Sequence, residues 1–263
     1  MNTLIIYQVD AFTDHVFGGN PAAVCILNNW LPSVIMQNIA AENNLSETAF
    51  LVKESNQYHI RWFTPKVEVD LCGHATLASA HVLFQYGLEV EQEITFFSER
   101  SGKLSVSKNN GGLLTLNFPT DHLKEVEKSE ELLSCFDIEP MHIYKGKTDY
   151  MMIFDTEQDV IDIKPNFDLI KAIDCRGIIV TAKGNSVDFV SRFFAPQSGV
   201  VEDPVTGSAH TTLIPYWAKV LGKKVLSAQQ LSERLGILKV EDAGDRVKIS
   251  GTAVVYLKGE IYF

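Results

Sequence analysis

The chain has no C-x-x-C pair, and no apolar run approaches the ~18 residues of a membrane helix. Its four cysteines, Cys25, Cys72, Cys135 and Cys175, are scattered. A disulfide framework would be dense and a zinc site paired in spacing, so the reading is free thiols in a reducing compartment. Basic residues are in deficit, with 23 Lys and Arg against 33 Asp and Glu, a formal charge of −10. That balance argues against a nucleic-acid partner, which demands a basic face, but a local site can still be positive. The start, Met1-Asn2-Thr3-Leu4-Ile5-Ile6-Tyr7, lacks the basic region and cleavage site of a signal peptide, so the expectation is a cytoplasmic protein. There is no G-x-G-x-x-G after a strand, no P-loop and no G-x-S-x-G elbow, and no cofactor is written into the chain. His74, His81 and His210 lack H-x-x-x-H spacing, so no metal site is expected from them.

What the chain does have is an internal echo. Arg61-Trp62-Phe63-Thr64-Pro65 returns as Arg192-Phe193-Phe194-Ala195-Pro196, and Gly73-His74-Ala75-Thr76 as Gly207-Ser208-Ala209-His210. Ser98 to Val106 returns as Ser232 to Val240, at the same 134-residue offset as the glycine block. A repeat this long implies two similar lobes, not a solenoid with units of ~20–50 residues. The expected fold is α+β, with an N-terminal lobe over residues 1–120 and a C-terminal lobe over 121–263, whose last strands can cross back to the first. Lobes of this kind face each other across a cleft, and ligand sites favour such places.

Periodicity predicts strands at Leu4–Phe12, Ala22–Leu27, Ser46–Val52 and Tyr58–Phe63, where branched and aromatic residues alternate. Helices are predicted over Pro32–Asn44 and His74–Tyr86, the second apolar on nearly every face and therefore expected to be buried. Strands follow at Glu93–Phe97, Lys103–Ser107 and Leu113–Phe118, with Asn109-Asn110-Gly111-Gly112 as a hairpin turn. Asp121–Cys135 reads as a charged amphipathic helix. The second half predicts strands at Tyr150–Asp155, Gly177–Ala182, Asp188–Phe194, Leu238–Glu241, Asp245–Ser250 and Ala253–Phe263, and a helix over Ser208–Leu221. Each lobe is thus expected to be a mostly antiparallel sheet or barrel around one apolar helix.

Two loops enter the two apolar helices: Asp70-Leu71-Cys72-Gly73-His74 and Glu202-Asp203-Pro204-Val205-Thr206-Gly207-Ser208. Glycine at a helix start lets the backbone approach a ligand, and the free N–H groups and dipole there favour a carboxylate. The bland alternative is that both are ordinary caps, since Thr206 and Ser208 are good capping residues. Their equivalent placement in a duplicated chain favours a site. Glu47 stands alone at the head of an apolar strand, where burial would raise its pKa and suit it to carry a proton. Taken singly, Glu47 also fits a solvated strand start, and His74 a cap or core histidine.

The segments Gln8-Val9-Asp10-Ala11-Phe12-Thr13, Phe17-Gly18-Gly19-Asn20-Pro21-Ala22-Ala23-Val24, Ser46-Glu47-Thr48-Ala49-Phe50, Leu71-Cys72-Gly73-His74-Ala75-Thr76 and Glu202 to His210 strongly resemble the phenazine-biosynthesis PhzF-like isomerase family. The resemblance implies the diaminopimelate-epimerase-like fold, two pseudo-symmetric lobes with the active site between them. It implies that Glu47 is an acid/base moving a proton between carbons of a small cyclic amino acid-like acid. His74 and Asp203 match residues that hold and assist the substrate. Gly73 and Ser208 match positions lining the carboxylate and proton-transfer site, and Gly207, Thr206, Cys72 and Asn20 complete the expected substrate-binding set. By the same resemblance no metal, pyridoxal or nucleotide is needed, and a homodimer is expected. Related epimerases carry a cysteine at each helix start. Here Cys72 fills the first place and Asp203-Pro204-Val205-Thr206-Gly207 offers none, which disfavours a two-thiol racemase and leaves Cys72 a spectator. The alternatives are an epimerase of the same fold, or a non-catalytic binding module.

Overall fold

The computed structural model describes residues 2–109 and 111–263, so Asn110 of the expected hairpin turn lies outside the described residues. The chain divides into two compact units, Met1–Asn117 with Ser250–Phe263, and Phe118–Ile249. The final segment, Ser250–Phe263, joins the first unit.

The first unit runs β1 (Thr3–Ala11), β2 (Asn20–Leu27), α1 (Ser33–Asn43), β3 (Glu47–Glu54), β4 (Gln57–Phe63), β5 (Glu68–Val69), α2 (Gly73–Gln85), β6 (Glu93–Ser98), β7 (Gly102–Lys108) and β8 (Leu114–Pro119). Hairpin neighbours β1–β2, β3–β4, β6–β7 and β7–β8 are antiparallel. The pairs β2–β3 and β4–β6 are parallel. Parallel neighbours need a crossover, and α1 and α2 supply the two.

The second unit repeats this plan. After β9 (Lys124–Val126) and the single turn α3 (Glu130–Leu133) come β10 (His142–Lys145), β11 (Asp149–Ile153), α4 (Glu157–Asp162) and α5 (Phe167–Ala172). Then follow β12 (Gly177–Lys183), β13 (Phe189–Phe194), α6 (Gly207–Leu221), β14 (Val225–Gln230), β15 (Gly236–Asp242) and β16 (Arg246–Gly251). Again the hairpins β10–β11, β12–β13 and β14–β15 are antiparallel, while β11–β12 and β13–β14 are parallel. Strands β7 and β15 begin at Gly102 and Gly236, 134 residues apart. The last strand, β17 (Ala253–Tyr262), pairs antiparallel with β1 along its length.

The duplication extends to side chains. Arg61 Nε and Nη2 donate to Glu68 Oε1 and Oε2 at 2.7 and 2.8 Å, and Arg192 makes the same fork with Glu202 at 2.8 and 2.9 Å. Each guanidinium also lies over the phenylalanine two residues on, Phe63 or Phe194. These forks fix the chain at the start of each stretch that leads into an apolar helix.

Helix α2 is buried on most of its circumference, from Gly73 through Leu83 except His81, and touches β1, β2, β3, β7 and β17. Its polar residues bury without loss because their hydroxyls bond back along the helix, Thr76 to the Cys72 carbonyl at 2.6 Å and Ser79 to that of Ala75 at 2.7 Å. Helix α6 carries Pro215 internally. Proline has no N–H for the carbonyl four residues back, and the Asp121 N–H supplies the bond to the Thr211 carbonyl instead, at 3.2 Å.

That contact explains a correction. The segment 121–135 is not the expected amphipathic helix. Asp121 is held by α6, where Thr212 Oγ1 donates to Oδ2 at 3.1 Å, and by the Lys147 N–H. Lys124–Val126 pairs with β10. Only Glu130–Leu133 turns helical, where the Ser129 hydroxyl accepts from the Leu132 N–H. Tertiary partners outweigh a propensity of a few tenths of a kcal/mol per residue. Among the described residues no helix is long and apolar enough to cross a membrane.

Candidate active site

In the first unit, four of the residues singled out by sequence come together. Asn20 opens β2, held there by a tight turn. Gly19 sits at φ +59°, and a Cβ on it would fall 2.0 Å from the Ala11 carbonyl oxygen, so only glycine fits. The Phe17 N–H donates to Asp10 Oδ2 at 2.8 Å and closes the same turn. Glu47 is the first residue of β3, in register with Ala22 of β2. Cys72 is the N-cap residue of α2, with Gly73 and His74 its first two helical residues.

The imidazole of His74 is the hub. Asn20 Nδ2 lies 3.2 Å from Nδ1, Cys72 Sγ lies 3.5 Å from Nδ1, and Glu47 Oε2 lies 3.2 Å from Nε2. With the Asn20 amide donating, Nδ1 is the acceptor and the ring proton sits on Nε2, the nitrogen 3.2 Å from the carboxylate oxygen. His74 is only 4% exposed. Burial disfavours the imidazolium and pulls its pKa down to about 3. At neutral pH the contact with Glu47 is therefore a neutral imidazole against a carboxyl group, not an ion pair. The arrangement holds a carboxyl oxygen, an N–H and a thiol at a helix N-terminus, the equipment for moving a proton on a carbon acid.

In the second unit, Asp203, Thr206, Gly207 and Ser208 gather at the start of α6. Thr206 is the N-cap residue by backbone, but its hydroxyl donates to Asp203 Oδ2 at 2.6 Å and does not cap the helix. Ser208 is inside the helix and accepts from Arg176 Nη1 at 2.7 Å. The simple capping alternative therefore does not describe these residues. Gln230 clamps the loop, accepting from the Thr206 N–H at 2.8 Å and donating to the Asp203 carbonyl at 2.7 Å. His210 Nδ1 bonds the Thr206 carbonyl at 2.9 Å, matching Thr76 in α2. Burial lowers its pKa to about 4.

Arg176, Asp149 and Gln230 are not visible as site residues in the sequence. Arg176 forks onto the buried Asp149, Nε donating to Oδ1 at 2.8 Å and Nη2 to Oδ2. Burial works against the guanidinium charge, but Asp149, with Asp203 and Asp121 nearby, more than restores it. A usable signal exists in hindsight: Arg176 immediately precedes the strand equivalent to the one Glu47 begins.

The strand registers show why the glutamate position is not repeated in the second unit. Thr48 of β3 pairs with Phe63, and Ile178 of β12 pairs with Phe194. The residue before each, Glu47 or Gly177, therefore holds the same place. A Cβ on Gly177 would lie 2.5 Å from Phe193 Cζ and 2.8 Å from the Phe194 carbonyl oxygen. The second copy of the position cannot carry a side chain.

Comparison with known proteins identifies relatives of this chain. Uncharacterized isomerases from Pseudomonas aeruginosa and Halalkalibacterium halodurans are each 48% identical, over 98% and 99% of this chain and 99% of each relative. The crystal structure of a phenazine biosynthesis PhzF-family protein from Enterococcus faecalis superposes with a TM-score of 0.96 at 48% identity, covering 100% of both chains. A hydroxyproline epimerase from Agrobacterium vitis, 10% identical, shares the fold alone, with a TM-score of 0.61 over 98% of this chain and 92% of that one. The family model described as phenazine biosynthesis-like protein matches residues 9–259. The chain belongs to the phenazine biosynthesis-like, or PhzC-PhzF, family.

Proposed function

We propose that this protein is a cofactor-independent isomerase that moves a proton on a small cyclic or amino acid-like carboxylate. Isomerase is the activity in the names of two 48%-identical relatives. The observation that carries the mechanism is the 3.2 Å contact of Glu47 Oε2 with the N–H-bearing nitrogen of a buried, neutral His74. In this reading Glu47 takes the proton from one carbon and returns it to another. His74 holds Glu47 and the substrate by its Nε2–H, and Asp203 assists. The backbone at Gly73 and Gly207, with Thr206, Ser208, Cys72 and Asn20, receives the carboxylate. Helix N–H groups supply charge stabilisation without proton bookkeeping. The proposal extends to a homodimer in the cytoplasm, the first of which light scattering tests directly.

An epimerase is the second reading, favoured by Cys72 at a helix start and by the shared fold. Thr206 stands at the place of an opposing thiol, and it points to the isomerase. A binding module that has lost its reaction has no use for a proton carrier.

The test is a panel of small cyclic and amino acids in deuterated water. Deuterium appearing at carbon, with a shifted double bond and unchanged optical rotation elsewhere, supports the isomerase. Loss of rotation alone supports an epimerase. Binding without exchange supports the module.

A further inference from the structure

The group around His74 has the donors of a metal site. A carboxylate oxygen of Glu47, Sγ of Cys72 and a ring nitrogen of His74 all lie within 4.8 Å of one another. Oε2 is 3.2 Å from Nε2, and Sγ is 3.9 Å from Nε2. Zinc binds oxygen and imidazole nitrogen at about 2.0–2.2 Å and thiolate sulfur at about 2.3 Å, which sets tetrahedral donors roughly 3.3–3.7 Å apart. Those two separations fall just either side of that span, and the carboxylate-to-sulfur pair, no more than 4.8 Å apart, closes to it by side-chain rotation. No sequence spacing advertises the trio, because its members come from the start of β3, the N-cap of α2 and its second residue.

We propose that Glu47, Cys72 and His74 bind a thiophilic divalent cation, Zn2+ in particular, through a carboxylate oxygen, Sγ and Nε2, with water as fourth ligand. The chemistry of the set selects the ion: thiolate with imidazole favours zinc over magnesium or calcium. His74 is neutral and keeps a lone pair to give. For Nε2 to ligate, the ring proton moves to Nδ1, and a half-turn of the Asn20 amide sets its oxygen there to accept. A hydrogen bond of that kind orients a metal-bound histidine. On binding, the Cys72 S–H proton leaves to solvent as the S–Zn bond forms, with no change of oxidation state. The carboxylate of Glu47 is then occupied and accepts no proton from substrate. The cation acts as an off switch; this consequence rests on Glu47 being the proton carrier, whereas the binding does not.

The experiment is a Co2+ titration of chelator-stripped protein, followed by Zn2+ competition. The expected result is a thiolate-to-cobalt charge-transfer band saturating at one ion per chain and displaced by Zn2+. Cys72→Ser abolishes the band, His74→Gln weakens the affinity at least ~10-fold, and Cys175→Ser leaves it unchanged. Circular dichroism verifies that each variant is folded; if Cys72→Ser is not, His74→Gln and Glu47→Gln carry the comparison. Absence of the band, or a band surviving in folded Cys72→Ser or untouched in both other variants, overturns the proposal. Deuterium exchange by the metal-free protein separates the two claims. Exchange without a cobalt band removes the metal site alone, and a cobalt band without exchange removes the acid/base reading alone.

Discussion

Glu47 Oε2 lies 3.2 Å from His74 Nε2, joining the first residue of a strand to the second residue of a buried helix. Strand register fixes one partner and helix geometry the other, so neither side chain must be ordered by substrate. The Asn20 amide completes the hub from a third element. In the proposed mechanism such preorganisation would keep the reacting groups in place before binding.

The second copy of the Glu47 position is filled by Gly177, and Gly177→Ala will be costly. Its Cβ meets a carbonyl oxygen at 2.8 Å, which cannot swing aside as a side-chain tip does. The expected loss is about 1–3 kcal/mol, read as a lower urea midpoint with unchanged slope. A midpoint equal to wild type would mean that space, at least, does not forbid a second acid/base.

Of the two duplicated forks, that of Arg192 should matter more. Besides Glu202, its Nη1 donates to the carbonyls of Val160, Ile161 and Ile163 at 3.1, 3.3 and 3.2 Å. Arg61 adds a hydrogen bond to Ser33 and a stack on Trp30, both nearer the surface. Lysine keeps the charge but loses the planar fork. Arg192→Lys is expected to cost about 2–3 kcal/mol, the pair being partly buried, and Arg61→Lys about 1 kcal/mol. Denaturation of the two variants under one condition checks the order; the reverse order contradicts it.

Acid will destabilise the protein in part through His210. Its folded pKa, about 4, lies below the 6.5 of the free side chain because burial excludes the charge. Between those values the unfolded chain binds a proton that the folded one does not, so stability falls as pH falls. The slope from this group is at most about 1.4 kcal/mol per pH unit, and it vanishes above pH ~6.5. In His210→Gln, whose amide can still donate to the Thr206 carbonyl, the fall in urea midpoint from pH 6.5 to 4.5 should be shallower. Parallel curves for variant and wild type would exclude this contribution.

The repeat and both helix-entry loops were legible because they rest on local signals: glycine before an apolar helical run, and a constant offset between copies. The buried helices α2 and α6 were legible for the same reason. Arg176 was not, since its partners Asp149 and Ser208 lie 27 and 32 residues away and meet it only through strand register. Strand β14 escapes a periodicity reading because Val225-Leu226-Ser227-Ala228-Gln229-Gln230 is half polar, although alternate residues are buried. The expected helix over 121–135 shows the opposite failure. Charges at helical spacing looked amphipathic, while Asp121 was needed at the carbonyl that Pro215 leaves without a donor.

The most direct test of the central claim is deuterium incorporation at carbon by wild type and Glu47→Gln, with the same turned-over acid. A single acid/base contributes ~10²–10⁴-fold, so the variant should lose at least ~100-fold in exchange rate while binding the acid nearly as well. Exchange by folded Glu47→Gln at the wild-type rate would contradict the account.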